Sequence, residues 1–127
     1  MKFNMTDTGY TMTTDFGTID ISGDATKGFK PGELLVSAVV ICSAGVLRQV
    51  LKKMRIDVKN LDVEVKEIKR VEEEGNRIKK IHFHFTVEAD HLTEKKLEKA
   101  IEVSTKNCAM AQTVKNSIEL VKTYTII

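Results

Sequence analysis

The sequence predicts an α+β fold, and three observations carry that reading. Short period-two alternations open the chain, an uncharged apolar run from Leu34 to Leu47 follows, and alternation returns over Leu61–Ala89 before helical spacing and a last β-branched segment. Strands, one long helix, a hairpin, two further helices and a strand, in that order, describe helices and sheet held apart along the chain rather than alternating βα units. At 127 residues, with a single Pro and 42% apolar residues, the chain fits one domain spanning 1–127.

The opening alternations are Phe3/Met5, Tyr10/Met12 and Ile19/Ile21, parted by Gly9 and by Asp15-Phe16-Gly17. They predict small antiparallel strands. Gly23–Lys30 has the composition of a loop. Pro31 suits a first helical turn, where its missing N–H would have had no partner, and Glu33 sets a negative charge near the positive end of the helix. The helix is expected to run to about Met54. From Leu34 to Leu47 it is apolar on every side, so it must be covered from more than one direction, and a second copy of the chain is expected to complete that cover. The predicted architecture is thus antiparallel sheets packed on a long buried central helix, in an intertwined homodimer.

Leu61, Val63 and Val65 alternate with charges, as do Ile81, Phe83, Phe85, Val87 and Ala89, across a Glu74-Gly75-Asn76 turn. This is a hairpin with one wet face. Ile68 falls out of phase with Val65, which predicts a bulge near Lys66-Glu67. Leu97, Ala100, Ile101 and Ser104 share a helical face after a Thr93 cap, with Leu92 and Leu97 spaced as a hydrophobic staple. Asn107 is expected to cap a short helix reaching about Asn116, and Val121–Ile127 reads as a closing strand.

Twenty basic and eighteen acidic residues leave a net charge of +2, with the signs interleaved along Val58–Lys80. A nucleic-acid footprint would pool one sign, so no nucleic-acid partner is expected. The apolar run falls short of the roughly 20 residues that span a bilayer, so no membrane association is expected either. The polar start Met1–Asp7 has no secretory h-region, which points to a cytoplasmic location and hence to a reducing compartment. There a cysteine pair is redox-active, metal-binding or simply packed, rather than a structural disulfide.

Only two cysteines occur, Cys42 within the apolar helix and Cys108 just after Asn107. A helix start favours a thiolate, so Cys108 is placed to have a lowered pKa. Cys42 lies mid-helix in apolar company and needs a neighbouring charge to become nucleophilic. Both residues also fit the bland alternative of small buried hydrophobes.

The run Pro31-Gly32-Glu33-Leu34-Leu35-Val36-Ser37-Ala38-Val39-Val40-Ile41-Cys42 resembles the P-x-E-L-(x)-A-A-x-x-x-C helix of the OsmC/Ohr family, closest to its YhfA-like branch. Cys108 stands where that family places its second cysteine, and the element order is similar over the whole chain. The resemblance implies an intertwined α+β homodimer that reduces small or lipid hydroperoxides in oxidative-stress defence, without a cofactor. It also implies the site: Cys42 as the peroxidatic cysteine, Cys108 as its disulfide partner, Glu33 as the helix carboxylate, and a dithiol as reductant.

Two departures qualify this. In the best-characterised peroxidases of the family an amino-terminal Arg pairs with a Glu ten residues before the peroxidatic cysteine. Here no Arg precedes Arg48, Gly32 holds that position, and Glu33 is nine before Cys42. Lys27 and Lys30 are the cations at hand, although an ammonium does not replace a guanidinium fork. Cys108-Ala109 replaces the usual Cys-Pro pair. Two alternatives therefore stay open: a dimeric small-molecule-binding or stress-associated protein without efficient peroxidase activity, and a redox-sensing or thiol-carrying protein.

His82 and His84 share one strand face with His91 nearby, a spacing able to ligate a metal. Their wet face and the lack of further ligands argue against a metal site.

Overall fold

The computed structural model describes residues 1–127. They form two compact units, Met1–Ala38 and Val39–Ile127.

The first unit is an antiparallel meander of β1 (Lys2–Met5), β2 (Tyr10–Thr13) and β3 (Thr18–Ile21), as the alternations predict. Its turns are built from short polar side chains. Thr6 Oγ1 accepts from the Gly9 N–H at 3.0 Å, and the Ser22 hydroxyl donates to the Thr8 carbonyl at 2.6 Å. Gly9 is required here, because any Cβ would strike the Ile21 carbonyl oxygen. The unit ends in the first turns of α1 (Pro31–Lys53). Phe3, Met5 and Tyr10 of this sheet are exposed, as is Phe16 in the turn after β2, while Met12, Ile19 and Ile21 are half-buried.

The second unit contains the rest of α1 and a sheet ordered β4 (Val58–Val71), β5 (Arg77–Ala89), β6 (Glu119–Ile126). β4 and β5 form the predicted hairpin through a 3-10 turn at Glu72–Glu74. Gly75 at φ 67° and Asn76 at φ 59° close it, two residue types that tolerate the left-handed region. The register shifts between Val65 and Glu67, which is the expected bulge. β6 pairs parallel to β5, so the sheet is mixed and not antiparallel throughout. The reason is the connection: β6 returns only after α2 (Glu94–Asn107) and α3 (Ala109–Val114), a crossover long enough to bring the chain back in the same direction.

The core of this unit is the inner face of β5 against the apolar stripes of the helices. Ile81, Phe83, Phe85 and Val87 are buried in alternation, together with Leu47 and Leu51 of α1, Leu97 and Ala100 of α2, and Ala111 of α3. Phe83 and Phe85 meet edge to face with centroids 5.6 Å apart, an arrangement that suits the ring quadrupoles.

Within the single chain the helix is covered on one side. Val39, Val40, Ser43, Ala44, Leu47 and Leu51 form a buried stripe, but Ile41 is 65% exposed and Gly45, Arg48 and Lys52 face outward. One chain covers one stripe of a helix that has apolar residues all round. By length and composition Pro31–Lys53 could also cross a membrane, with a mean hydropathy of 2.0. Its buried stripe identifies it here as a core helix of a folded domain.

Candidate functional site

The α2–α3 corner is made by one residue. Cys108 adopts an extended conformation (φ −87°, ψ 111°) that ends α2, and its carbonyl accepts from the Gln112 N–H at 2.9 Å to begin α3. Its sulfur accepts from the Ala111 N–H at 3.4 Å, so Cys108 is itself the cap of α3. The expected cap, Asn107, instead donates back to the Val103 carbonyl at 2.8 Å, because α2 continues through it. Gln112 Nε2 donates to the Thr105 carbonyl at 3.0 Å and ties the corner from the other side.

The fold brings this corner against the middle of α1. Cys108 is fully buried, and its Sγ lies 3.5 Å from the hydroxyl of Ser43, also buried. Cys42 is half-buried beside Ser43, and it is among the neighbours that lower the Cys108 thiol. The two cysteines are free thiols. Burial pushes the Cys108 thiol up. Hydrogen bonds from the Ala111 N–H, the Ser43 hydroxyl, the Cys42 thiol and the Met110 N–H outweigh it and hold the group below its ordinary value.

One cation reaches this corner. Lys122 sits opposite Phe83 in the parallel register, in phase with the buried side chains of β5. Its Nζ donates to Thr105 Oγ1 at 2.5 Å and lies 5.7 Å from the centroid of the Phe83 ring. Burial pushes the Lys122 ammonium below its ordinary pKa, and attraction to Cys108 opposes that shift. Sequence reasoning missed Ser43, Thr105 and Lys122. A signal existed for Lys122: Leu120, Lys122 and Tyr124 alternate, and a Lys in a row otherwise apolar or aromatic is out of place.

The other predicted residues serve local roles. Glu33 Oε1 accepts from the Lys30 N–H at 3.0 Å, while the Lys30 carbonyl accepts from Leu34. That is the acidic half of a capping box, with the carboxylate serving the start of α1. Lys27 and Lys30 are exposed loop residues. His82 and His84 are bound across the sheet: His82 Nε2 and His84 Nδ1 engage Thr123 Oγ1 at 2.9 and 2.7 Å, and His84 Nε2 engages Thr125 Oγ1 at 2.8 Å. No group of three or more His, Cys, Asp or Glu side chains is arranged to hold a metal ion.

A groove of about 510 Å³ runs between α1 and α2. Its wall includes Val46, Val50, Met54 and Val103, with Lys53 and Lys99 also lining it. Val46 is one helical turn beyond Cys42, and the groove also reaches Asn107, the neighbour of Cys108. The chemistry available at the corner is that of a partly accessible thiol beside a buried, hydrogen-bonded one: nucleophilic attack followed by disulfide formation.

Comparison with known proteins gives the family. Residues 23–121 match the sequence model described as OsmC-like protein. No curated protein sequence matches the chain. Among solved structures, a hypothetical protein from Aquifex aeolicus VF5 is similar at 26% identity and a TM-score of 0.86, covering 99% of this chain and 93% of that one. The OsmC-like protein from Mycoplasma pneumoniae shares the fold at 17% identity and a TM-score of 0.77, over 93% of this chain and 88% of that one. The organic hydroperoxide resistance protein OhrB of Bacillus subtilis does so at 17% identity and a TM-score of 0.68, over 98% and 95%. With the family model covering most of its length, and with an α+β fold shared with these structures, the chain belongs to the OsmC-like protein family.

Proposed function

We propose that this protein is a cytoplasmic thiol peroxidase that reduces small or lipid hydroperoxides through Cys42 and Cys108. In this reading the Cys42 sulfur attacks the terminal oxygen of ROOH; an S–O bond forms, the O–O bond breaks, and the alkoxide leaves as ROH after taking a proton. Cys42 is then a sulfenic acid. The Cys108 sulfur displaces its oxygen as water, giving a Cys42–Cys108 disulfide, and a dithiol reductant restores both thiols as it becomes a disulfide itself. No metal or cofactor takes part. The groove past Val46 would hold the organic part of the substrate.

The observation that supports this most is that Cys108 packs against α1 at Ser43, the residue next to Cys42, with its sulfur 3.5 Å from the Ser43 hydroxyl although the residues are 65 apart in sequence. The test is consumption of cumene hydroperoxide with a dithiol, comparing the parent with Cys42→Ser and Cys108→Ser. Loss of turnover in Cys42→Ser, and sulfenic acid accumulating in Cys108→Ser, is the expected result; a Cys42→Ser protein as active as the parent removes the mechanism.

The active form in this reading is a homodimer. The exposed Ile41 on α1 and the exposed Phe3, Met5, Tyr10 and Phe16 of the first unit support it, since such apolar area is rarely left to water in a monomer. Light scattering is expected to give twice the 14.3 kDa chain mass.

One observation favours a second reading, a binding protein with the same groove and little peroxide chemistry. The Glu33 carboxylate is engaged at the start of α1, where it does helix-capping work, and no amino-terminal Arg exists to pair with it. A parent that binds hydroperoxide without turnover would establish that reading, in which Glu33 has no catalytic part.

A further inference from the structure

We infer that Lys122 is a positioning residue of the cysteine site: from the core face of β6 its ammonium holds Cys108 as the thiolate that takes the proton from Cys42. This rests on the peroxidase reading and supplies what that reading lacks, a source of positive charge to activate Cys42.

Three observations converge on it. First, Lys122 occupies a core-facing place in β6, opposite the fully buried Phe83, where strand alternation calls for an apolar side chain. A half-buried ammonium is costly unless it has a partner. Second, it takes part in none of the ion pairs of this chain, and its one hydrogen bond is to Thr105 Oγ1. The groups around it leave Cys108 as its counter-charge. β5 offers the Phe83 ring, α2 offers Thr105, and the Glu98 carboxylate of α2 already accepts from the Tyr124 hydroxyl at 2.7 Å. Third, Thr105 ties Lys122 to the backbone of Cys108: its hydroxyl accepts from Lys122, and its carbonyl accepts from the Cys108 backbone N–H at 3.4 Å. Attraction to Cys108 raises the Lys122 ammonium against the effect of its burial.

The proton path follows from the donors. The Ala111 N–H donates to the Cys108 sulfur and the Ser43 hydroxyl lies 3.5 Å from it, which suits that sulfur to accept a proton, and Cys42 beside Ser43 is the group that gives one. As Cys42 forms its S–O bond with the peroxide, its proton moves to the Cys108 sulfur and on to the departing alkoxide, which leaves as ROH. Cys108 is again a thiolate and attacks the Cys42 sulfenic acid. The hydroxide it displaces leaves as water with a proton from solvent. Activation therefore comes from β6 and through the second cysteine, and Lys122 touches neither substrate nor Cys42.

The experiment titrates Cys108 alone. In Cys42→Ser protein, the ultraviolet absorbance of the thiolate is followed against pH with Lys122 intact, with Lys122→Met and with Lys122→Arg. The midpoint is expected to rise by about one unit in Lys122→Met, a tenfold change in ionisation, and to return in Lys122→Arg. With both cysteines present, alkylation of Cys42 by iodoacetamide near neutral pH is expected to slow about tenfold in Lys122→Met and to recover at higher pH. Thr105→Val, which frees the ammonium without removing it, serves as the second variant and is expected to shift both readouts in the same direction. An unchanged Cys108 midpoint in Lys122→Met, or Cys42 alkylation indifferent to that change, overturns the inference. Neither readout depends on peroxide turnover, so an inactive parent would defeat the peroxidase reading while the two titrations still decide the role of Lys122.

Discussion

The Ser43 hydroxyl lies 3.5 Å from the Cys108 sulfur, a contact between residues 65 apart that closes the buried corner of the second unit. Ser43 thereby stabilises the ionised form of Cys108, alongside the Ala111 N–H. Ser43→Ala is expected to raise the Cys108 midpoint toward its ordinary value of 9.0, read by thiolate absorbance in Cys42→Ser protein. The pH dependence of stability has a definite sign. A thiol held below its ordinary value stabilises the fold above pH 9.0, and this contribution fades as the pH falls through the lower folded value. Urea midpoints taken across that window are expected to climb less steeply with pH in Ser43→Ala than in the parent.

Phe83 is fully buried, stacks edge to face on Phe85 and supports the Lys122 ammonium on its ring. Phe83→Ala is expected to cost about 3–5 kcal/mol by denaturant unfolding, from lost burial and the cavity left behind. Phe83→Leu keeps most of the volume and removes the π face. Its cost should stay below about 1.5 kcal/mol, with the Lys122 environment altered in the Cys108 titration. Equal losses in the two variants would show that the volume of the ring matters little.

Much of this fold is legible from residue patterns because local chemistry decides it. The Thr93 cap, the out-of-phase Ile68 that marks the bulge, and the Gly75-Asn76 turn each follow from a side chain acting on its own neighbourhood. The pairing of Cys42 with Cys108 is suggested only by family resemblance, since nothing local to either residue requires it. What could not be read depends on register and direction. Nothing within Glu119–Ile126 says whether it pairs parallel or antiparallel, and the place of Lys122 opposite Phe83 follows only once that is fixed. The boundary at Asn107 differs from expectation for a related reason. Asn107 and Cys108 both offer a capping atom, and the choice falls to Cys108 because the Val103 carbonyl captures the Asn107 side chain.

Thr93 Oγ1 accepts from the Lys96 N–H at 3.2 Å at the start of α2, whose buried Leu97, Ala100 and Ser104 pack on the core. Thr93→Ala removes that acceptor and is expected to lower stability by about 1 kcal/mol, with Thr93→Asp close to the parent. The same measurement on Asn107→Ala probes the other end of α2. A smaller loss is expected there, since Asn107 is exposed and its side chain answers only one frayed carbonyl.

Tyr124 donates to Glu98 Oε1 at 2.7 Å, linking β6 to α2 at the surface. The hydrogen bond to Glu98, with burial and the nearby Glu98 and Glu94 charges adding to it, pushes the Tyr124 phenol up to about 12. Because the raised group is neutral when protonated, its contribution is present below the ordinary value of 10.0 and is lost as the pH rises through about 12. A spectrophotometric titration of tyrosinate absorbance should therefore show an upper transition at about 12 that belongs to Tyr124. Glu98→Gln keeps an acceptor but removes the charge, and the upper midpoint is expected to fall toward 10.0. Tyr124→Phe should abolish that upper transition altogether. An upper midpoint that survives Glu98→Gln unchanged would mean that the carboxylate does not hold the phenol, and that α2 and β6 are joined at this point by packing alone.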